Sequence, residues 1–289
     1  MNPDTDTPPY AFAEPVAPFV RRVLARNPSA FTYSGTQSYL VGTDRDLAVI
    51  DPGPGDEDHI AALVEGIGAA KVVAICCTHT HQDHSPAAAA LSAITGAPIH
   101  GCSPFNIIDD GPRSDASFDP SYKPDGVMSD GDDVGGDGWK LEAVHTPGHT
   151  SNHLCYALNG SQALFTGDHV MGWSTTVVSP PDGDMTAYME SLAKLYERTD
   201  EVYFPAHGPQ VDKTRQFVRG MIGHRRQREN QILRLMGEGV ARIPEMVPTM
   251  YKGVDQRLWP AAERSVLAHL IDLERKGRAR RSEDQWMTA

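Results

Sequence analysis

The sequence has 289 residues, is 40% hydrophobic and carries a net charge of −12. This length allows one large domain or two, and no apolar run reaches the roughly 18 residues of a membrane-spanning helix. Residues 1–6 lack the basic and apolar regions of a secretory signal, so we expect a cytoplasmic protein that contacts no membrane and keeps its four cysteines reduced.

The first segments of the chain predict short strands and one helix. Residues 1–20 are rich in Pro and Asp and are expected to be irregular. Phe31–Tyr33 and Ser38–Gly42 are interpreted as the two arms of a hairpin. Leu47–Ile50 predicts a buried strand that ends in a Pro/Gly turn, and Asp56–Gly66 predicts a helix.

The next apolar run, Val72–Cys77, predicts a buried strand, and four potential metal ligands follow it at once. Residues two apart in an extended chain point to the same side, so His79 and His81 are expected to approach one ion together. Asp83 and His84 come after the strand has ended and are expected to face a second point close by. Imidazole and carboxylate together suit zinc and its first-row neighbours.

A helix and a long irregular segment follow the histidine cluster. Ser85 followed by Pro86 predicts the capped start of a helix that runs to Ile94, and Pro98–His100 predicts a brief strand. Residues 103–137 show no periodicity and are expected to form a loop. The acidic side chains of this segment lack the spacing of a calcium loop and are expected to be solvated; they are Asp109, Asp110, Asp115, Asp119, Asp130, Asp132 and Asp133.

The middle of the chain alternates strands with a helix. Trp139–Val144 predicts a strand, and His153–Leu158 with Gln162–Phe165 predicts a hairpin around the turn sequence Asn-Gly. Met185–Arg198 predicts an amphipathic helix, and Val202–Phe204 predicts the last strand of this part. The alternation indicates an α/β fold, with two sheets layered between helices as one option.

After residue 212 the pattern changes to three helices, predicted at Thr214–Met236, Pro244–Tyr251 and Pro260–Lys276. Arg278–Trp286 predicts a short strand pair. Three helices followed by a wing-like hairpin indicate a relative of the helix-turn-helix domain.

Charge is distributed unevenly between these two parts. Residues 213–281 carry 16 Lys+Arg against 7 Asp+Glu, whereas residues 1–212 carry 10 against 29. This division suggests two domains and makes the C-terminal one a candidate for an anionic partner. A solvated helical surface that contacts the acidic domain explains the charges equally well.

Four points of the sequence place a His or Asp at or just beyond the end of a predicted strand: the cluster of residues 79–84, His149, Asp168 and His207. If these strand ends lie side by side, seven ligands converge. His79, His81 and His149 would hold one metal ion, Asp83, His84 and His207 a second, and Asp168 would bridge them. Two divalent ions about 3.5–4 Å apart can share a hydroxide that is nucleophilic at neutral pH.

Other polar residues near these points are expected to support the site or the fold. His145 and His169 are interpreted as supporting or structural, and Asp51 as a support of a ligand or a plain turn residue. His153 has no assigned role, because it lies near the site but begins a strand. The remaining histidines are expected on the surface or satisfied in the core; they are His59, His100, His224 and His269.

The ligand motifs resemble the metallo-β-lactamase superfamily across residues 30–210. The matching motifs are His79-Thr80-His81-Gln82-Asp83-His84, Thr146-Pro147-Gly148-His149, Gly167-Asp168 and Ala206-His207-Gly208. The resemblance implies a four-layer αβ/βα sandwich with a dinuclear zinc site at one edge of its two sheets. Iron and manganese also suit this ligand set.

Three segments, residues 35–42, 173–181 and 243–246, are similar to the β-lactamase-like protein 2 group. That resemblance implies a lactamase-fold catalytic domain over residues 30–212, a small and mostly helical winged-helix-like domain over residues 213–289, and an N-terminal extension over residues 1–29 that packs on the core. The animal member of the group is associated with cleavage of single-stranded RNA.

Departures from other branches narrow the activity. True β-lactamases of this fold do not place an aspartate at the position of Asp168, which counts against antibiotic hydrolysis. Glyoxalase II has that aspartate but a different sequence around its last histidine, whereas acyl-homoserine lactonases share all the ligands.

The sequence therefore predicts a hydrolase in which a metal-bridging hydroxide attacks a carbonyl or phosphoryl centre and Asp83 accepts the proton. Asp83 and Asp168 are the predicted catalytic residues. Candidate substrates are a small ester, thioester or lactone, which the acidic catalytic domain favours, or single-stranded RNA. A nucleic-acid-binding regulator with a metal-sensing lactamase domain is a third option. We expect three segments to select the substrate: residues 103–137, the surroundings of Trp173 and the helices after His207.

The sequence does not define the oligomeric state, for which a dimer is one option.

Overall fold

The structure, a computed structural model, describes residues 9–106 and 117–289. The strands of these residues are β1 (Glu14–Ala17), β2 (Val20–Leu24), β3 (Gln37–Gly42), β4 (Asp46–Ile50), β5 (Lys71–Cys77), β6 (Ile99–Gly101), β7 (Gly126–Val127), β8 (Asp133–Gly136), β9 (Trp139–His145), β10 (Leu154–Leu158), β11 (Ala163–Gly167), β12 (Val202–Pro205), β13 (Ala279–Ser282) and β14 (Gln285–Thr288). The α-helices are α1 (Glu57–Ile67), α2 (Ala87–Thr95), α3 (Met185–Glu197), α4 (Thr214–Gly237), α5 (Ile243–Met250) and α6 (Trp259–Arg275).

Two sheets pack face to face with helices outside them. The first sheet has the order β1-β2-β3-β4-β5-β6-β7 and the second β12-β11-β10-β9-β8. Between the sheets, the ring of Tyr39 lies 5.0 Å from that of Phe165 and 5.8 Å from that of Phe204. Helix α1 buries Leu63 on the first sheet, and α3 buries Tyr188 on the second. The predicted four-layer αβ/βα sandwich is confirmed.

Strand direction brings the predicted ligands to one edge of the sandwich. Strands β4, β5 and β6 run parallel, and so do β11 and β12. The carboxyl ends of parallel strands meet at the same edge of a sheet. Asp51, the segment 78–84, Asp168 and His207 each follow the end of one of these strands, and the loop after β9 brings His149 to them.

The C-terminal part has its own apolar core. Helices α4, α5 and α6 surround Ile232, Met246 and Leu270, and the antiparallel pair β13–β14 closes this core with Trp286. The three predicted helices and the wing-like hairpin are confirmed. Because α4 also buries Val218 against the second sheet, one helix is shared between both cores. The domain boundaries at residues 29/30 and 212/213 stay predictions.

The N-terminal expectations were wrong in two respects. Residues 14–17 are not irregular but form β1, which pairs with β2 in the first sheet. The hairpin partner of β3 is β2 and not Phe31–Tyr33. Residues 27–36 form turns instead, because Asn27 Oδ1 accepts the N–H of Thr36 at 2.8 Å and Ser29 Oγ accepts the N–H of Thr32 at 3.1 Å.

The expected loop at residues 103–137 contains β7 and β8, and one of its acidic side chains is not solvated. Asp119 is 5% exposed and accepts hydrogen bonds from Ser85 Oγ at 2.9 Å and Ser121 Oγ at 2.5 Å. The predicted capping of α2 by Ser85 is therefore wrong. The hydroxyl of Ser85 donates to Asp119, and α2 has no side-chain cap among the described residues. Asp109, Asp110 and Asp115 lie outside the described residues.

All four cysteines, Cys76, Cys77, Cys102 and Cys155, are buried and free, as predicted. In the part of the chain that the structure describes, none of the helices combines the length and apolar character that crossing a membrane requires.

Candidate metal centre

The seven side chains predicted as ligands converge at the edge where the strands end. They fall into two groups, and within each group the ligand atoms lie within 4.8 Å of one another. One group consists of His79, His81, His149 and Asp168, and the other of Asp83, His84 and His207. The structure thus brings together every residue that the sequence placed at this site.

Hydrogen bonds fix the direction of the first two imidazoles. Thr78 Oγ1 donates to Asp51 Oδ2 at 2.8 Å, so it accepts from His79 Nδ1 at 3.0 Å. His79 is left with Nε2 free, and this atom lies 3.0 Å from Nδ1 of His81. Thr78 also donates its backbone N–H to Asp51 Oδ1 at 2.7 Å, which fixes the end of β5.

His149 is oriented from the neighbouring loop. Its Nδ1 donates to the carbonyl of Val177 at 2.7 Å, which leaves Nε2 only 3.2 Å from His81 Nδ1. Three imidazole nitrogens therefore point at one small volume.

The second group is oriented in the same way. His84 Nδ1 donates to Asp51 Oδ2 at 3.0 Å, and His207 Nδ1 donates to the carbonyl of Gly35 at 3.3 Å. Both side chains direct Nε2 at Asp83 Oδ2, from which these nitrogens lie 3.4 and 3.2 Å away. Asp51 is thus a support shared by both groups, through Thr78 and His84.

Asp168 lies between the two groups. Its Oδ1 is 3.2 Å from His207 Nε2 and 3.7 Å from His84 Nε2, whereas its Oδ2 is 3.7 Å from His149 Nε2. Each carboxylate oxygen therefore faces a different group, which is the arrangement of a bridging ligand.

Two residues hold the backbone of Asp168 in this position. Its N–H donates to His153 Nε2 at 3.2 Å, and its carbonyl accepts from Thr176 Oγ1 at 2.8 Å. His153, which has no role assigned from the sequence, is therefore a support. His169 is also structural, because its buried ring packs 4.7 Å from that of Tyr188.

Glycine is required where the ligand loops approach other elements. Gly148 has a φ of +139°, and a Cβ atom there would lie 2.3 Å from the Cα of Tyr188. This close packing of the loop on α3 sets the position of the next residue, His149.

Burial and neighbouring charges act differently on the two groups. Burial, together with the surrounding imidazoles, lowers the pKa of His79 and His81 well below its usual value. Burial also acts against charge at His207, but the carboxylates of Asp168 and Asp83 outweigh it and raise the pKa of His207 to about 10. They likewise raise the pKa of His84 well above its usual value.

The residues fit divalent metal ions. Among the described residues, His84 Nε2, Asp83 Oδ1 and Asp168 Oδ1 are buried and have no hydrogen-bond partner. Neutral imidazole lone pairs that converge as closely as those of the first group repel one another unless a cation lies between them. Five imidazoles and two carboxylates form a donor set for zinc, iron or manganese.

The centre opens into a cavity of about 660 Å³. Phe31, Met171 and Trp173 form its walls on the sandwich side, and Val254, Leu258 and Ala262 line it from the C-terminal part. Trp173 and the helices after His207 thus lie where the sequence predicted substrate selection.

The sequence did not identify Thr78 and Thr176 as supports of ligands. Thr78 directly precedes His79 at the end of β5, and this position is the only local signal for its role. Thr176 gives no such signal, because eight residues separate it from the carbonyl that it contacts.

Family comparisons agree with this arrangement. Residues 32–207 match the model of the metallo-beta-lactamase superfamily, and residues 243–286 match that of the beta-lactamase associated winged helix domain. The chain is 33% identical to a beta-lactamase-like protein 2 homolog of Drosophila melanogaster, over 90% of this chain and 89% of the relative. It is 31% identical to an atrochrysone carboxyl ACP thioesterase of Aspergillus chevalieri, over 86% of this chain and 78% of the relative.

A solved structure shows the same fold. The protein is similar to a beta-lactamase domain protein from Burkholderia ambifaria with a TM-score of 0.80 and 20% identity, over 99% of this chain and 96% of that chain.

Proposed function

Because the chain belongs to the metallo-beta-lactamase superfamily, a superfamily of hydrolases, we propose that it is a dinuclear metal-dependent hydrolase that acts on a thioester. The observation that carries the two-ion proposal is the position of Asp168, whose two oxygens face separate groups of ligands. Zinc is the metal that suits this ligand set best.

Each group of ligands would hold one ion, with Asp168 shared between them. His79, His81 and His149 would hold the first ion, and Asp83, His84 and His207 the second. When bound, such ions supply Lewis acidity: they lower the pKa of water and neutralise charge that develops on a carbonyl oxygen.

The chain's own residues then place water and move its proton. Asp83 lines the cavity, and its Oδ1 has no hydrogen-bond partner among the described residues, so it is placed to accept the proton of the attacking water. The water oxygen bonds to the carbonyl carbon, the C–S bond breaks, and the sulfur of the leaving thiol takes up a proton. The products are a carboxylate and a thiol.

Three observations favour a thioester over the other candidate substrates. The walls of the cavity between the centre and the C-terminal helices include several apolar side chains, which suit an acyl chain. A relative that is 31% identical is named an acyl carrier protein thioesterase. Residues 1–212 carry 10 Lys+Arg against 29 Asp+Glu, a balance that repels nucleic acid.

Cleavage of single-stranded RNA is the second candidate. It is favoured by the exposed arginines Arg226 and Arg280 on α4 and β13, for which the structure gives no ion pair among the described residues, and by the similarity to beta-lactamase-like protein 2 homologs. An RNA substrate would have to reach the centre past the acidic surface.

A hydrolysis panel with metal analysis tests these proposals. The substrates are a thioester, an ester, a lactone and an RNA oligonucleotide, and the proteins are wild type, Asp168→Asn and the control Asp44→Asn, which changes an exposed carboxylate. In wild type and control we expect two metal ions per chain and thioester turnover. In Asp168→Asn we expect the two-ion content and the thioester turnover to be lost. Preferred cleavage of RNA would replace the thioester proposal. Metal binding without turnover of any substrate would favour a metal-sensing regulator.

A further inference from the structure

One wall of the cavity at the metal centre is basic and is formed by His224, Arg225 and Arg228. Arg228 lies about one turn after His224 and Arg225 on α4, and all three residues line the cavity. The acidic residues among those lining the cavity are Asp83 and Asp168, and both belong to the metal centre.

Arg225 is a buried cation without a carboxylate partner. It is 3% exposed, it donates through Nη2 to the carbonyl of Thr176, and its guanidinium lies 5.0 Å from the ring centre of Tyr188. Its Nε has no hydrogen-bond partner, and no ion pair of Arg225 is found among the described residues. A buried charge without a counter-charge is costly, so this arrangement is incomplete on its own.

Arg228 repeats the pattern one turn further along the helix. Its Nη1 donates to the carbonyl of Met250 at 2.5 Å and to Gln231 Oε1 at 3.0 Å, and its guanidinium lies 4.6 Å from the ring centre of Tyr251. Nε of Arg228 is buried without a partner, and within the described ranges this side chain makes no ion pair either.

Carboxylates are available nearby but are used elsewhere. Glu229 follows Arg228 directly, yet it pairs with Arg278 and with Lys276. Asp272 also pairs with Lys276, and it accepts a hydrogen bond from Thr186 Oγ1 at 2.6 Å. Among the described residues, these carboxylates thus pair with Arg278 and Lys276 and not with Arg225 or Arg228.

Two histidines near these arginines have lowered pKa values. Burial, with Arg225 and Arg228, lowers the pKa of His224 to about 4. Burial, with the same arginines and other basic neighbours, lowers the pKa of His269 to about 3. His269 had been expected to be satisfied or on the surface, but both its ring nitrogens are buried and without a partner among the described residues.

We propose that the basic wall is an anion-binding subsite for the substrate. The substrate would be a thioester that carries a carboxylate or phosphate at the end remote from its C–S bond, with Arg228 and Arg225 as the residues that bind the anion. This inference rests on the proposed hydrolase function, because it assumes that the cavity holds the substrate.

Three thioesters separate the possible positions of the charge. Butyryl-N-acetylcysteamine is neutral, glutaryl-N-acetylcysteamine carries a carboxylate on the acyl part, and butyryl-phosphopantetheine carries a phosphate on the thiol part. The proteins are the metal-loaded full chain, Arg228→Met, Arg228→Lys and Arg219→Met. Arg219 is exposed on the same helix outside the cavity, so its variant is the matched control for loss of one charge.

We expect Arg228→Met to lower kcat/KM about 10- to 100-fold for one of the two anionic substrates, through KM, with little change for the neutral one. Arg228→Lys should recover part of the loss, and Arg219→Met should resemble wild type. The substrate affected identifies the charge as carboxylate or phosphate. Equal effects on all three substrates, or no effect on either anionic one, would overturn the proposal.

A binding measurement decides the inference if no thioester is hydrolysed. In that case the thioester proposal has failed, and thermal unfolding is followed with 10 mM glutarate or 10 mM phosphate, roughly ten times a millimolar Kd. A rise in Tm for wild type and Arg219→Met that is absent in Arg228→Met supports the subsite. A rise that Arg228→Met retains for both anions, or no rise in wild type, contradicts it.

Discussion

The metal centre and the basic wall border one cavity, but the chain builds them in different ways. At the centre, ligands from four segments of the chain are oriented by hydrogen bonds, and imidazoles and carboxylates lie side by side. At the wall, three basic residues of one helix stand without carboxylates among the described residues. The centre therefore combines carboxylates with its imidazoles, whereas the arginines of the wall make no ion pair among the described residues. In our proposals the centre determines the type of reaction and the wall contributes to the choice of substrate.

Removing one ligand should have the largest effect on activity. It should also show whether the metal centre and the basic wall act independently. We expect His207→Ala to lower the metal content from two ions toward one per chain and kcat by about 10³-fold, because several kcal/mol of charge stabilisation are lost. The response of Tm to the anion should be unchanged, since the wall is intact. Metal analysis and kinetics measure this against His145→Ala, which removes an exposed histidine. If the anion no longer raises the Tm of His207→Ala, the metal centre and the basic wall are not independent.

Backbone constraints should also differ between the loop that carries His149 and helix α4, which carries the basic wall. Gly148→Ala should destabilise the protein by roughly 3 kcal/mol or more, because the backbone has a positive φ and Cβ overlaps α3. Gly220→Ala, in the middle of α4 with open space around its Cβ, should stabilise it by about 0.5–1 kcal/mol. Urea unfolding measures the free energy of unfolding of both variants. Similar changes in the two would contradict the backbone constraint that we assign to Gly148.

The supports of the centre should matter less than its ligands. We expect Asp51→Asn to lower metal affinity about 10- to 100-fold, because the variant loses the charge that orients His84 and one acceptor for Thr78. Zinc titration with a competing chelator measures the affinity, and Asp58→Asn, which alters an exposed carboxylate, is the control. An unaltered affinity would show that the ligands orient themselves without Asp51.

The smallest effect concerns the titration of two histidines that share a lowered pKa for different reasons. The pKa of His59 is about 4, mainly through burial, and that of His224 is about 4 through burial and the arginines of the wall. Both are therefore neutral at pH 7 and take up a proton only as the pH falls toward 4. In Arg228→Met, the charged form of His224 is less disfavoured, so its pKa should rise while that of His59 stays the same.

NMR titration of the imidazole resonances measures both values in one sample. If the pKa of His224 does not move in Arg228→Met, the wall does not carry the positive potential that we assign to it.

The sequence predicted well which side chains converge at the edge of the sandwich, because the signals for them are local. His79 and Asp168 stand within two residues of the end of an apolar strand, and parallel strands end at the same edge of a sheet, so both could be placed at one edge without knowledge of their contacts. The fold class followed from the same alternation of strands and helices. The turns of residues 27–36 escaped prediction because side chains of Asn27 and Ser29, and not the hydrophobic pattern, determine them.

The wall could not be predicted, because it depends on contacts between distant elements. Arg225 and Arg228 differ from the other arginines of α4 only in the side of the helix that they occupy and in what packs against it, namely Thr176 and Tyr251. The excess of Lys+Arg after residue 212 was visible in the sequence, but its division between paired, exposed and cavity-facing side chains was not.

Anomalous diffraction at the zinc edge, from crystals of the metal-loaded protein, tests the two-ion centre most directly. We predict two peaks about 3.5–4 Å apart. One would lie among His79, His81 and His149, the other among Asp83, His84 and His207, and Asp168 would contact both. A single peak, or two peaks of which Asp168 contacts only one, would contradict this assignment.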